Sequence, residues 1–163
     1  MDEKRACEKA KQALEMTGLL DKAEENPYDL ELNERKLVAI ASVLAMDTDV
    51  MILDEPTIAQ DVNGRRMIGE IIRKLRKEGK LVIAILHDMD FVAEYFERVV
   101  IMAKGKILAD GTPDEAFSQD EALKQARLQK PYKMLLGTFL LPRGAPFCHE
   151  ERPFCHKERP FGI

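Results

Sequence analysis

The stretch 50–61, which reads VMILDEPTIAQD, constrains the fold more than any other part of this 163-residue chain. Its four apolar residues, Val50 through Leu53, lead directly into Asp54 and Glu55, and a Pro-Thr pair then interrupts the run. A short continuous apolar run that is bounded by turn residues predicts a strand buried on both faces of a parallel sheet. The two carboxylates would then end a strand at the edge where open α/β sheets bind ligands.

This acid pair has a functional and a purely structural interpretation. An Asp at a strand end can hold a phosphate-bound Mg²⁺, and a second acid beside it can orient or deprotonate an attacking water. The alternative is that Asp54 and Glu55 only solvate the end of the strand. The functional interpretation is favoured because Asp61 follows at a short offset and a second apolar stretch, 81–86, ends in His87 and Asp88.

Composition narrows the class of protein. Lys and Arg number 25 and Asp and Glu 29, so no basic excess indicates nucleic-acid binding. The longest apolar stretch, 37–46, is too short to span a bilayer, and the charged first residues lack the apolar region of a signal peptide. Three cysteines do not make a disulfide framework, which predicts a reducing cytosol.

Apolar periodicity predicts alternating helices and strands. Helices are expected over 2–20, 34–45, 62–80, 89–96 and 121–129, with Asn33 as the N-cap of the second and a further helix start at Pro113. The stretch 81–86 is expected to be a second buried strand, and 99–102 and 106–109 to form a hairpin. The basic residues of 62–80 are predicted to face water. The residues predicted to do so are Arg65, Arg66, Arg73, Lys74 and Lys77, together with the acidic Glu70.

The carboxyl-terminal segment contains a short tandem repeat, 148–154 followed by 155–161. Each copy begins with a Cys-His pair, Cys148-His149 and Cys155-His156, which in principle could ligate zinc. The spacing differs from the C-x₂-C arrangement that indicates zinc strongly. The prolines and charges favour a disordered tail.

Together, the segments 54–57, 58–61 and 86–88 (DEPT, IAQD and LHD) resemble the C-terminal half of an ABC-transporter ATP-binding subunit. The resemblance runs from about Leu30 to Phe117. Within the family, the chain is most similar to the cobalt/energy-coupling-factor type, because of the hairpin with Gly105 and Gly111 and the segment 126–131. The resemblance implies an α/β fold: a partial P-loop NTPase domain of the ABC type, with a mostly parallel sheet and flanking helices.

The same resemblance implies a role for each matching residue. Asp54 would be the Walker B acid that holds Mg²⁺ through water, and Glu55 would be the base that positions the hydrolytic water. His87 would contact the γ-phosphate, although a histidine at a strand end is also often merely hydrogen-bonded. Asp61 would lie at the interface with a second ATPase subunit. The implied cofactors are ATP and Mg²⁺.

One departure from the family concerns its signature, L-S-G-G-Q, whose place is taken by 30–34 (LELNE). The signature binds the partner's γ-phosphate with a Ser hydroxyl and glycine amides at a helix N-terminus. Glu31 brings a carboxylate that should repel this phosphate, and Leu32 and Asn33 add side chains where close backbone approach is needed. We therefore expect this part of the nucleotide site to be weak.

A second departure is the absence of a Walker A motif, since G-x-x-x-x-G-K-[ST] does not occur in the chain. That motif supplies most phosphate contacts, and in the family its strand lies between the His87 strand and the Val99 strand. Its absence predicts a gap about 5 Å wider than one strand spacing, lined by unpaired backbone groups. The fragment is expected to close up, to dimerise through that edge, or to receive a strand from a separate N-terminal half.

These observations lead to two functional expectations. The first is an ATP-binding and ATP-hydrolysing subunit of an ABC-type importer, inactive as an isolated chain and completed by a Walker A half in trans. Its partners would be that N-terminal half or a second ATPase subunit and a membrane permease, on the cytoplasmic face of the membrane. The second is a non-catalytic remnant or interaction module. The expected domains are 1–117 for the ATPase half, 118–141 for a helical extension and 142–163 for a disordered repeat tail.

Overall fold

The computed structural model describes residues 2–135, in which helices and strands alternate along most of the chain. Two 3₁₀ turns, Leu20–Lys22 and Pro27–Asp29, join the first two helices. The elements are α1 (Glu3–Met16), α2 (Leu32–Ala45), β1 (Val50–Asp54), α3 (Val62–Lys77), β2 (Leu81–Ile85), α4 (Met89–Tyr95), β3 (Val99–Ala103), β4 (Lys106–Gly111), α5 (Pro113–Ser118) and α6 (Asp120–Ala126). The α/β class is confirmed.

The strands form two separate sheets of two strands each. Strands β1 and β2 are parallel, with Val50 opposite Leu81 and Asp54 opposite Ile85. Strands β3 and β4 form an antiparallel hairpin, and Lys104 and Gly105 have the positive φ angles that a two-residue type I′ turn requires. Within residues 2–135, β2 and β3 do not pair with each other.

Only one face of the β1–β2 sheet is buried, so the prediction of strands buried on both faces was wrong. Met51 and Leu53 are buried, whereas Ile52 between them is 66% exposed. Strand β2 alternates in the same way between half-buried and exposed side chains. The physical reason is that helices cover one side of this sheet, and no element of residues 2–135 covers the other.

The buried side chains form two hydrophobic clusters. The first joins α2, α3 and α4 to the covered face of β1, and the second lies between the β3–β4 hairpin and helices α5 and α6. Leu86, at the end of β2, packs against both clusters. The largest fully buried side chains in the described residues include Ile68, Ile72, Ile101 and Phe117.

Helix boundaries differ from the predictions where local hydrogen bonds decide them. Helix α1 ends at Met16, and Gly18 adopts a φ of +67° just beyond it. The N-cap of α2 is Glu31 and not Asn33, because the Glu34 carboxylate accepts a hydrogen bond from the Glu31 backbone N–H at 3.2 Å. Pro113 begins α5, as predicted.

The segment 136–163 lies outside the described residues, so the prediction of a disordered repeat tail at 142–163 stays a prediction, as does the zinc alternative. Between residues 2 and 135, no helix is long and apolar enough to cross a membrane.

Candidate functional site

The carboxyl ends of β1 and β2 bring the predicted catalytic residues together at one edge of the parallel sheet. Asp54 is the last residue of β1 and lies opposite Ile85, two residues before His87. The Glu55 backbone N–H donates to the Ile85 carbonyl at 3.0 Å, which extends the ladder by one bond. Glu55 then adopts a φ of +47°, so the chain leaves the sheet at this residue.

Glu55 and His87 face each other across this edge. Glu55 Oε1 lies 3.3 Å from His87 Nε2, and the Glu55 side chain is 21% exposed while the imidazole is 80% exposed. Glu55 Oε1 is itself buried and forms no hydrogen bond, so the two groups are within ion-pair distance without an aligned hydrogen bond. A buried acceptor without a donor is costly, and this oxygen is therefore free to accept a hydrogen bond from a bound water.

Asp54 fits a magnesium site only if other ligands come from outside the protein. Its exposed side chain follows the exposed Val50 and Ile52 on the same face of β1. No group of three or more His, Cys, Asp or Glu side chains within residues 2–135 could hold a metal ion. Mg²⁺ commonly binds one or two carboxylates and completes its octahedron with phosphate oxygens and water, so the single Asp54 carboxylate fits such a site.

The loop that follows β1 is hydrogen-bonded to the first turns of α2. Lys36 Nζ donates to the Ile58 carbonyl at 2.8 Å, and Gln60 Nε2 donates to the Asn33 carbonyl at 2.9 Å. These bonds bring Asn33 and the segment 55–61 to one surface. The roles of Lys36 and Gln60 were not predicted, because each binds a backbone carbonyl remote in sequence and no residue pattern marks such a bond.

Asp61 has a local structural role in addition to any role at an interface. It is the N-cap of α3, and its carboxylate accepts a hydrogen bond from the Gly64 backbone N–H at 2.7 Å. The residue is exposed, so an oxygen can also reach a partner. Its predicted position at a subunit interface stays a prediction.

Two carboxylates lie at the N-terminus of α2, where the signature of the family would bind phosphate. Glu31 is exposed as the N-cap, and the Glu34 carboxylate forms an ion pair with Lys22. The Lys22 hydrogen bond, followed by that from the Glu31 backbone, lowers the pKa of Glu34. Negative charge is favourable at a helix N-terminus, so Glu34 already occupies the position that an incoming phosphate would use.

Asp88, directly after His87, makes two contacts that fix this part of the chain. Its Oδ1 accepts from the Phe91 backbone N–H at 3.0 Å and caps α4, as predicted, while its Oδ2 pairs with Arg65 of α3. Arg65, predicted to face water, keeps a side chain that is 41% exposed and also forms this ion pair. Sequence periodicity places a residue on a helix face but does not show which loop carboxylate that face meets.

A cavity of about 450 Å³ lies away from this edge, between α1 and the C-terminal ends of α2 and α3. Asp47 lies at its margin and pairs with both Lys9 and Lys80. Hydrogen bonds from Lys80 and then Lys9 lower the Asp47 pKa to about 2. Because the cavity is next to the amino end of β2, it is separate from the Glu55–His87 edge.

Comparisons with known proteins give a consistent family relationship, although no protein-family model matches the chain. The chain is 42% identical over 132 residues to an energy-coupling factor transporter ATP-binding protein EcfA2 of Methanospirillum hungatei, covering 81% of this chain and 33% of that protein. It is 39% identical over 147 residues to the EcfA2 protein of Latilactobacillus sakei, covering 89% and 50%. It is 36% identical over 152 residues to a putative ABC transporter ATP-binding protein of Methanothermobacter marburgensis, covering 90% and 55%. The chain thus spans between a third and about half of these relatives.

Solved structures agree at the level of the fold. A crystal structure of an ATP-binding cassette of an ABC transporter in its ADP conformation matches 79% of this chain and 52% of its own, with a TM-score of 0.68 and 23% identity. An inward-facing putative metal-chelate type ABC transporter matches 74% of this chain and 47% of its own, with a TM-score of 0.64. In both, the likeness extends over about half of the other chain.

Proposed function

Since this chain is a homologue of one part of the ABC-transporter ATP-binding proteins, we propose that it is the carboxylate-bearing half of an ATP-hydrolysing subunit of an importer of the energy-coupling factor class. The supporting observation is the Glu55–His87 pair, which lies next to Asp54 at the carboxyl edge of the parallel strands. The Walker A half would come from polypeptide outside these 163 residues.

The residues at this edge would divide the chemistry among them. When bound, ATP with Mg²⁺ would supply the scissile γ-phosphoryl group and the charge that stabilises its transfer. Asp54 would hold the metal through water. Glu55 would orient the attacking water and accept its proton through Oε1, which forms no hydrogen bond, and His87 Nε2 would donate a hydrogen bond towards the γ-phosphate.

Residues on the neighbouring surface would serve a second ATPase subunit. Asp61 would face that subunit, and Glu31 and Asn33 would occupy the place of the signature that meets its phosphate. Glu31 weakens this half of the site by repulsion. We further propose that a membrane permease binds the assembled subunit on the cytoplasmic face of the membrane, and that no nucleic acid takes part.

The proposed division of the chain is 1–117 for the ATPase half and 118–141 for a helical extension. Leu123 of α6 packs in the same cluster as Ile101 of β3 and Phe117 of α5. The start of the extension is therefore part of the second hydrophobic core rather than an appended segment.

A second candidate function is a non-catalytic remnant or interaction module derived from such a subunit. The specific observation that favours it is Glu31 at the N-cap of α2, where phosphate binding would require small, uncharged residues. The two candidate functions differ in one testable respect, which is whether an assembly completed with a Walker A half hydrolyses ATP in a way that requires Glu55.

The test compares Glu55→Gln with the wild-type chain, each combined with the Walker A-bearing part of a relative. We expect ATP hydrolysis by the wild-type assembly and a loss of roughly 10²–10⁴-fold in Glu55→Gln, because the water loses its base while ATP binding remains. Phosphate release and nucleotide binding are measured separately. Glu121→Gln, at an exposed position on α6, is the matched control and should keep full activity.

Two outcomes would contradict the proposal. Equal, background-level hydrolysis by wild-type and Glu55→Gln assemblies that both bind ATP would favour the non-catalytic remnant. Turnover by the isolated wild-type chain that disappears in Glu55→Gln would show that the chain needs no added Walker A half.

A further inference from the structure

The loop 55–61, which follows β1, holds two of its residues in the left-handed backbone region. The φ angles are +47° at Glu55 and +61° at Ala59. Glutamate and alanine lack the short polar side chain that lets Asn and Asp adopt this region readily, so the loop is strained at both residues. Strain of this kind persists only where surrounding contacts determine the backbone. Those contacts therefore decide how the chain leaves β1 at Glu55.

Burial and the bonds within the loop fix only part of its backbone. Pro56 and Thr57 are buried, whereas the Ile58 side chain is 54% exposed. The Ile58 N–H closes a first turn on the Glu55 carbonyl at 3.3 Å. The Gln60 N–H closes a second turn on the Thr57 carbonyl, also at 3.3 Å. Both bonds are longer than is usual for N–H···O, so further contacts are needed to hold the strained residues in place.

Helix α2 supplies a further contact for the last residue of each turn. Lys36 Nζ donates to the Ile58 carbonyl at 2.8 Å, and Gln60 Nε2 donates to the Asn33 carbonyl at 2.9 Å. Both bonds are shorter than those that close the turns, and the charge of the lysine strengthens the first of them. The loop is thus held to α2 at residues 58 and 60.

Helix α3 leaves room for the Gln60 side chain. A Cβ at position 64 would lie 2.2 Å from Gln60 Oε1, so glycine at this buried position provides the space that the amide occupies. The Gln60 side chain lies between the first turn of α3 and the Asn33 carbonyl of α2. Because the residue is half-buried, water competes less for this bond than for one on the open surface.

We infer that Lys36 and Gln60 are positioning residues for the Glu55 carboxylate. They act through the backbone of the loop 55–61 and take no part in the chemistry themselves. With both bonds formed, the strained backbone at Glu55 places its Oε1 3.3 Å from His87 Nε2. Without them the backbone relaxes towards the right-handed region that glutamate favours, and the carboxylate leaves this place. This inference rests on the proposed function, in which Glu55 is the base for the attacking water.

A positioning role and a purely structural role affect different quantities. If the two bonds only stabilised the fold, their loss would lower the amount of folded protein and leave kcat per folded molecule unchanged. If they position Glu55, their loss lowers kcat and leaves the KM for ATP nearly unchanged, because the misplaced group acts only in the transition state. The exchange of backbone amides in the loop reports the loss of the bonds without any reaction.

The first experiment measures amide hydrogen exchange in the full chain without nucleotide. Lys36→Met and Gln60→Leu each keep the approximate size of the side chain and remove the donor. We expect the amides of residues 58 and 60 to exchange at least about 10-fold faster than in the wild type, with exchange in β1 unchanged. The matched controls are Lys11→Met and Gln125→Leu, at exposed positions of α1 and α6, and neither should change the exchange of the loop.

The second experiment measures ATP hydrolysis by the chain combined with the Walker A-bearing part of a relative. We expect Lys36→Met and Gln60→Leu to lower kcat by roughly 10–100-fold through misplacement of the base. Lys36→Arg should regain most of this loss, since a guanidinium can also donate to the Ile58 carbonyl. In the Glu55→Gln background neither variant should lower the residual rate further, because both act through the Glu55 carboxylate.

The two readouts let this inference and the proposed function fail separately. Faster exchange in both variants, in an assembly whose wild type does not hydrolyse ATP, would contradict only the proposed function. Unchanged exchange at residues 58 and 60 in Lys36→Met or in Gln60→Leu would overturn the role of the residue replaced. Faster exchange with unchanged kcat, or an equal loss of rate in the Glu55→Gln background, would overturn the inference for both residues.

Discussion

Gly69 shows how much one missing methyl group decides in this fold. A Cβ at this position would lie 2.1 Å from Tyr95 Cε1 and 2.2 Å from its Cζ. The ring cannot easily move aside, since the tilted Phe91 ring packs against it at 4.6 Å between ring centroids and the Arg73 guanidinium lies 4.5 Å from the ring centroid. Glycine at 69 therefore allows α3 to approach α4 closely.

We predict that Gly69→Ala destabilises the chain by about 1–3 kcal/mol through overpacking, although Ala is favoured over Gly in a helix by about 1 kcal/mol. The free energy of unfolding is measured by urea denaturation. Asn63→Ala is the matched control, at an exposed position of the same helix. Equal stabilisation in both variants would show that the Tyr95 contact does not limit packing.

Helix α4 illustrates how an element positions a site residue. Asp88 caps this helix through the Phe91 N–H and also pairs with Arg65, so the chain after His87 is held from two sides. A helix of this length depends on its cap and its packing, because short helices are marginal by themselves. Asp88 thus fixes the backbone directly after His87.

We predict that Asp88→Ala costs about 1 kcal/mol from the lost cap and also lowers ATP hydrolysis in a completed assembly, because His87 is released. Thermal denaturation and phosphate release are the measurements. Asp88→Asn is the matched control, since Asn caps as well as Asp but loses the charge that meets Arg65. If both variants lose the same stability, the ion pair and not the cap is the important contact.

At the scale of the whole molecule, Asp47 connects three elements that are distant in sequence. It lies after α2 with a φ of +53°, and it pairs with Lys9 of α1 and with Lys80, which precedes β2. Asp is one of the few residue types that tolerates a left-handed conformation. These ion pairs hold α1 against the rest of the described chain at the end opposite to Glu55.

We predict an acid-dependent loss of stability at this position. The pKa of Asp47 is lowered from 3.8 to about 2, so its charge stabilises the fold above about pH 4, and the stabilisation is lost as pH falls towards 2. Asp47→Asn, which keeps the left-handed backbone, should therefore be less stable than the wild type at pH 7 and similar to it near pH 2. Unfolding is followed in urea across this range.

The control for this pH dependence is Asp49→Asn, at an exposed carboxylate that forms no ion pair within residues 2–135. The difference in unfolding free energy between Asp49→Asn and the wild type should not shrink between pH 7 and pH 2 as it does for Asp47→Asn. A constant difference between Asp47→Asn and the wild type from pH 7 to pH 2 would contradict the assignment.

Local sequence determined the elements and most of their ends. The period of the apolar residues located α3 and β1, Lys104-Gly105 marked the hairpin turn, and Asp88 and Pro113 marked helix starts. These features depend on neighbours within a few residues, so they can be read along the chain. The order DEPT, then LHD, also predicted which side chains would meet at the sheet edge.

Only the tertiary structure decided what covers each strand and which distant groups meet. Four apolar residues in a row indicate a buried strand, but burial depends on a second layer of helices, and residues 2–135 supply only one. Three contacts join atoms that are far apart in sequence: the ion pair between Arg65 and Asp88, and the hydrogen bonds from Gln60 to the Asn33 carbonyl and from Lys36 to the Ile58 carbonyl. Apolar pattern is a local property, whereas burial and ion pairing depend on which surfaces the whole fold brings together.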